Sequence, residues 1–131
     1  MAITSTEQLQ AGMPFAGVLG IELDAAAPDE VRARMPWRAA HCTSGGVLHG
    51  GVLVAFADSV GAVCAGLNAP NGMSGTVELK VNYLRPVPAG WVASVSRPMH
   101  VGGSTVVVQT ELFDGDGRRV ALVTQTHMRT R

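Results

Sequence analysis

Residues 49–67 read His49-Gly50-Gly51-Val52-Leu53-Val54-Ala55-Phe56-Ala57-Asp58-Ser59-Val60-Gly61-Ala62-Val63-Cys64-Ala65-Gly66-Leu67, with Asp58 as the one charge. The run is too long for an ordinary strand. Apolar residues occupy every side of its helical wheel, which predicts a helix covered by protein on nearly all faces. Lipid is the alternative cover, since about twenty apolar residues just span a bilayer. Against a span, a carboxylate near the middle costs about 2.5–3.5 kcal/mol on insertion scales, and no Lys/Arg flank marks an inside end. Glycines also crowd the run. It therefore reads as the core helix of a domain that neither spans nor binds a membrane. Asn68 to Gly75, with Pro and Gly, ends it.

Downstream the pattern changes to period two. Thr76 to Val87 alternates Val77, Leu79, Val81 and Tyr83 against Thr76, Glu78, Lys80 and Asn82. That alternation predicts a half-buried strand. Trp91 to Val101 follows, with Pro98 expected at a bulge or edge. Ser104 to Asp114 is the next strand, Gly115-Asp116-Gly117 a hairpin turn, and Arg119 to Arg129 the last strand. Upstream, Ser5 or Thr6 is placed to cap a short helix running to about Ala11, followed by Pro14. Gly20 to Ala27 and Val31 to Trp37 form a first hairpin across Pro28-Asp29-Glu30. Residues 38–48 are irregular. The order is two strands, one buried helix and four long strands. The expected class is α+β, one domain over residues 1–131, with an antiparallel sheet wrapped around one long central helix.

Composition narrows the function. Hydrophobic residues make up 47% of the 131 and charged residues 15%, against about 25% charged in average domains. A surface so poor in charge is most simply buried between subunits. Ten acidic residues balance ten basic ones. No basic cluster marks a nucleic-acid or anionic-membrane partner. Cys42 and Cys64 stand in a chain without a recognisable secretory signal. They read as reduced thiols of a cytoplasmic protein.

Two features of the helix carry chemistry. Gly50 and Gly51 at its start leave backbone N–H groups without intrahelical acceptors, and the macrodipole adds to their attraction for negative charge. Such a site suits a carbonyl that becomes an oxyanion. The other reading of the two glycines is close packing of helix on sheet alone. Asp58 also has two readings. It accepts a structural hydrogen bond from Ser59, a strand hydroxyl or a partner subunit, or it is a desolvated carboxylate suited to attack or to activate water. Gly50 and Asp58 lie eight residues apart, about 12 Å along the axis. One carbonyl cannot touch both within one chain. If both serve one site, they come from different copies, and a twofold interface gives two equal sites.

Leu48-His49-Gly50-Gly51 with Asp58 nine residues after the histidine, together with Thr76-Val77-Glu78-Leu79-Lys80-Val81-Asn82-Tyr83-Leu84-Arg85-Pro86-Val87, resembles the PaaI-type branch of the hotdog-fold thioesterases, named for phenylacetate metabolism. The order of elements matches over roughly residues 14–129. The resemblance implies an acyl-CoA thioester hydrolase without a cofactor, assembled as a dimer at least and expected as a tetramer. It implies that the Gly50 N–H polarises the thioester carbonyl. Asp58 of the neighbouring subunit would be nucleophile or general base. Thr76, from the same subunit as Asp58, would orient the attacking group, and His49 would fix the loop and the carbonyl. The family usually carries an amide side chain seven residues before that glycine. Thr43 stands there, and its hydroxyl reaches less far. The family also often carries Arg in the turn between the last long strands, where this chain has Gly102-Gly103-Ser104. Contacts to the CoA phosphates would then come from elsewhere, with Arg85 or Arg97 as the candidates, or the thioester carrier is other than CoA.

Other signals read plainly. His41, Cys42 and His49 fit no zinc spacing, and no metal is expected. Cys64 reads as a small core residue. Asp114-Gly115-Asp116-Gly117 has Gln125, not Glu, at the twelfth position of a calcium loop. His100 and His127 are expected to face solvent or be satisfied. Two other functions compete with hydrolysis. A non-catalytic acyl-CoA-binding or regulatory hotdog domain leaves the helical carboxylate unexplained. A hotdog hydratase or dehydratase would need a His–carboxylate pattern not found here.

Overall fold

The computed structural model describes residues 2–130. The elements are α1 (Thr6–Gly12), α2 (Pro14–Leu19), β1 (Glu22–Ala27), β2 (Glu30–Pro36), α3 (Gly50–Leu67), β3 (Met73–Tyr83), β4 (Trp91–Val101), β5 (Thr105–Phe113) and β6 (Arg119–Arg129). The six strands form one antiparallel sheet in the order β1-β2-β4-β5-β6-β3. It curls over α3, which packs on all six strands. This is the α+β hotdog architecture.

Local chemistry explains most boundaries. Ser5 caps α1 by accepting the Gln8 N–H at 3.2 Å. The lead-in holds a second helix that the sequence reading left out. Pro14 sits in its first turn, and Gly20 ends it at φ 73°, a left-handed cap. That cap delays β1 from Gly20 to Glu22. In β2, Val31, Ala33 and Met35 are buried while Arg32 and Arg34 are exposed. Pro98 lies at the β4–β5 register shift, where a missing N–H breaks the ladder.

The expectation that protein covers α3 on nearly all faces is not met within one chain. Leu53, Phe56, Ala57, Val60, Gly61, Val63, Cys64 and Ala65 are buried. Ala55, Asp58, Ser59 and Ala62 are only half-buried, and Gly51 is exposed. One curled sheet covers one side of a cylinder. Length and composition alone would let α3 cross a membrane, but its buried side is the centre of the apolar core.

Inside the sheet, a buried polar chain ties three strands to α3. The hydroxyls of Ser96 and Thr110 bond at 2.8 Å. Thr110 donates to Gln125 Oε1 at 3.0 Å, and Gln125 Nε2 donates to the Ala57 carbonyl at 2.6 Å. Gly61 permits this approach, since a Cβ there would lie 2.1 Å from Gln125 Nε2. The pairing fixes the height of α3 on the sheet one residue from Asp58.

Candidate active site

The helix start is built from backbone. His49 caps α3, with Nδ1 accepting the Gly51 N–H at 2.8 Å. A neutral ring in that role carries its proton on Nε2, which is left as a donor. The Gly50 N–H has no acceptor among the described residues. Tyr83 donates its hydroxyl to the Gly50 carbonyl at 2.9 Å. A Cβ on Gly50 would meet the Tyr83 ring carbon Cζ and its oxygen at 3.0 Å. Close packing and an open amide, the two readings of this glycine, therefore coexist.

The preceding loop is tied down at its base. The Leu48 N–H donates to Val87 O at 3.0 Å, His49 N–H to His41 O at 2.9 Å, and Thr43 N–H to Val47 O at 2.9 Å. The Thr43 side chain is exposed. Beside Gly50 lies a cleft of about 340 Å³ lined by Leu48, Leu53, Tyr83, Arg85 and Pro86. Arg97 does not reach it. Glu30 at 2.7 Å and Glu111 at 3.6 Å hold that guanidinium elsewhere.

Asp58 is held by side chains. Thr76 donates its hydroxyl to Asp58 Oδ1 at 2.7 Å, so the strand hydroxyl, among the partners considered from sequence, is the one used. Ser59 instead donates back to the Ala55 carbonyl at 2.7 Å. Strict alternation would have pointed Thr76 outward with Glu78 and Lys80. The β3–β6 register shifts between Thr76 and Glu78: Glu78 pairs with Thr126 and Thr76 with His127, leaving Val77 as the extra residue. This β-bulge reverses the parity and brings Thr76 to the helix side.

His127 meets the expectation of facing solvent or being satisfied only in part. His100 is exposed, as expected, but His127 is fully buried. Its Nδ1 lies 3.3 Å from Thr76 Oγ1, and its Nε2 is buried with no partner among the described residues. An orphaned buried acceptor costs about 1–3 kcal/mol. Burial pushes the imidazole below its ordinary pKa, with the Asp58 carboxylate acting against it. Its inward facing was readable: His127 shares parity with Val123 and Gln125, which alternate with Thr124 and Thr126. What the parity could not give was its partner on another strand.

The remaining candidates keep structural roles. Burial, and secondarily Asp29, pushes the Cys64 thiol up to about 11, far from a reactive thiolate. Asp114 Oδ1 accepts the N–H groups of Asp116 and Arg118 at 2.9 and 3.0 Å, which makes it a turn residue. Among the described residues no His, Cys, Asp and Glu cluster forms a metal site.

Comparison with known proteins gives the family. The thioesterase superfamily pattern matches residues 45–121. The 1,4-dihydroxy-2-naphthoyl-CoA hydrolase of Escherichia coli is 36% identical over 104 residues, 78% of this chain and 76% of that protein. A proofreading thioesterase from Cronobacter turicensis is 32% identical over 103 residues, 77% of this chain and 74% of that protein. A thioesterase from Haemophilus influenzae superposes with a TM-score of 0.88 at 28% identity, covering 98% of this chain and 91% of that one. A variant of the phenylacetic acid degradation protein PaaI from Thermus thermophilus superposes at 0.81 with 30% identity, covering 89% and 99%. The chain belongs to the thioesterase superfamily, as a thioester hydrolase of the hotdog fold with the PaaI-type signature in its helix start and third strand.

Proposed function

We propose that this protein hydrolyses an acyl-CoA to the free acid and CoA at sites shared between two copies of the chain. Gly50 of one copy presents its free N–H to the thioester carbonyl, aided by the positive end of α3. The His49 Nε2–H is the second donor, in the place Thr43 is too short to fill. Asp58 of the other copy either attacks the carbonyl carbon, giving an anhydride that water then hydrolyses to the free acid, or takes a proton from the water that attacks the carbonyl directly. Thr76 holds Oδ1 of that carboxylate, so Oδ2 faces the substrate. The thiolate of CoA leaves and takes up a proton.

The observation that carries this reading is the Thr76–Asp58 hydrogen bond of 2.7 Å, formed on a face of α3 where Asp58 stays half-buried in its own chain. A carboxylate held there is available to a second copy. The unpaired edge of β3 and the half-buried stripe of Ala55, Ser59 and Ala62 support a twofold contact on that side. CoA as the carrier is supported by the name of the Escherichia coli relative and by Arg85 beside the Gly50 cleft. A dimer is the minimum unit of this reading and a tetramer its fuller form; the compartment it implies is the cytoplasm.

The test is release of free thiol from a panel of short, medium-chain and aromatic acyl-CoAs. Turnover of at least one that is lost in Asp58→Asn supports the reading. Thermal stabilisation by acyl-CoA without thiol release would favour the non-catalytic binding domain instead.

A further inference from the structure

We propose that His127 is a positioning residue that fixes the Asp58 carboxylate through the Thr76 hydroxyl; this rests on the role given to Asp58 above. The proton count leads there. A carboxylate only accepts, so the single Thr76 proton points to Asp58 Oδ1 at 2.7 Å. A Thr76 oxygen lone pair then faces His127 Nδ1 at 3.3 Å, and that nitrogen must carry the N–H. A neutral imidazole has one N–H, so Nε2 is bare, and it is the nitrogen buried with no partner among the described residues. The site thus fixes the tautomer at the expense of an orphaned acceptor. A side chain kept for packing alone would carry no such penalty. Burial favours the neutral ring that this arrangement requires.

The consequence is directional. A lone Thr hydroxyl can turn its proton to any nearby acceptor. With His127 donating to its oxygen, the proton is left to Asp58, and the chain His127–Thr76–Asp58 polarises in one sense. The Val77 bulge and His127 work together: the bulge brings Thr76 inward, and the histidine sets the direction of its bond.

The experiment uses the full-length protein and thiol release from benzoyl-CoA or hexanoyl-CoA, whichever the wild type turns over faster. His127→Leu should lower kcat about tenfold, the scale of lost outer-shell support, with KM within about threefold. His127→Asn places an amide N–H near the Nδ1 position and should recover most of the loss. His127→Gln reaches the Nε2 position and should not. In a Thr76→Val background, His127→Leu should cost nothing further, because its effect passes through that hydroxyl. If the leucine variant does not fold, the asparagine and glutamine pair decides alone. Equal activity of that pair, kcat of the leucine variant within twofold of wild type, or losses that multiply in the double variant would overturn the proposal. Each of these outcomes, found together with an inactive Asp58→Asn, leaves the reading of Asp58 standing; an active Asp58→Asn removes that reading itself.

Discussion

The two ends of the proposed chemistry are built in opposite ways. At the start of α3, the groups offered to a substrate are a backbone N–H and a capping histidine on an exposed loop, with Tyr83 closing over the glycine. Two turns further on, the acid is a side chain held by a hydroxyl from β3 that is itself backed by a buried imidazole from β6. The first end is specified by what is missing, a side chain at Gly50. The second is specified by contacts between residues 18 and 51 positions apart in the chain. An electrophile site made from backbone is rigid with little support. A carboxylate aimed at one atom needs a second and third layer behind it.

The sharpest way to separate the two ends is to remove each in turn. Asp58→Asn keeps shape and loses the attacking charge. Turnover should fall more than 100-fold, in the range of roughly 10²–10⁴ for a lost acid–base group, while gel filtration and the melting curve stay unchanged. Retention of a tenth of wild-type kcat would detach the carboxylate from the chemistry. Gly50→Val brings carbon into the space held by Tyr83. The N–H remains but is displaced with the helix start, which should lower kcat about 100-fold, the scale of one oxyanion donor out of place; a drop confined to KM would make that end a binding element only. Thr76→Val leaves the acid present but unheld and should cost about tenfold in kcat. A Thr76→Ser variant that restores the rate would tie the loss to the hydroxyl.

The smallest effect expected is on stability. His127 is neutral and held below its ordinary pKa in the folded protein. Its unfolded counterpart takes up a proton below about pH 6.5. The unfolded state therefore binds more protons on the acid side. The contribution of neutral His127 is complete above about pH 6.5 and is lost as the pH falls through the lower folded value. The slope is at most about 1.4 kcal/mol per pH unit for one proton. Melting temperatures between pH 7.5 and 5 should show it, and the His127→Leu curve should be flatter by that amount.

The same contrast decides what could be read from sequence. The core helix, the hairpins and the exact span Arg119–Arg129 follow from local signals: apolar run, period-two alternation, and Gly or Pro at the ends. The helix start was legible for the same reason, from the Gly50-Gly51 pair that opens the apolar run, while the capping role of His49 shows only in the structure. The second short helix carries its marks in Pro14 at the start and Gly20 at the stop, but six residues give too short a period to signal a helix between them. The acid end was only half legible. Asp58 stands out as the lone helical charge, but alternation pointed Thr76 the wrong way, because one extra residue at Val77 changes parity without any mark in composition. His127 and the Ser96–Thr110–Gln125 chain depend on which strands become neighbours, and that is decided by the whole sheet. The incomplete cover of α3 had a different cause. The apolar wheel asks for burial on nearly all sides, and one chain supplies only part of it.

The central claim is that one site takes Gly50 from one copy and Asp58 from another. Co-expression of Asp58→Asn and Gly50→Val chains with different affinity tags, followed by purification through both tags, tests it most directly. Each variant alone is expected below about one hundredth of wild-type activity. A mixed dimer rebuilds one complete site out of two, because the intact glycine and the intact aspartate then face each other across the twofold axis. The doubly purified protein should recover about half the wild-type rate per dimer. Mixed dimers no more active than either parent would place both groups in one chain and contradict the shared site.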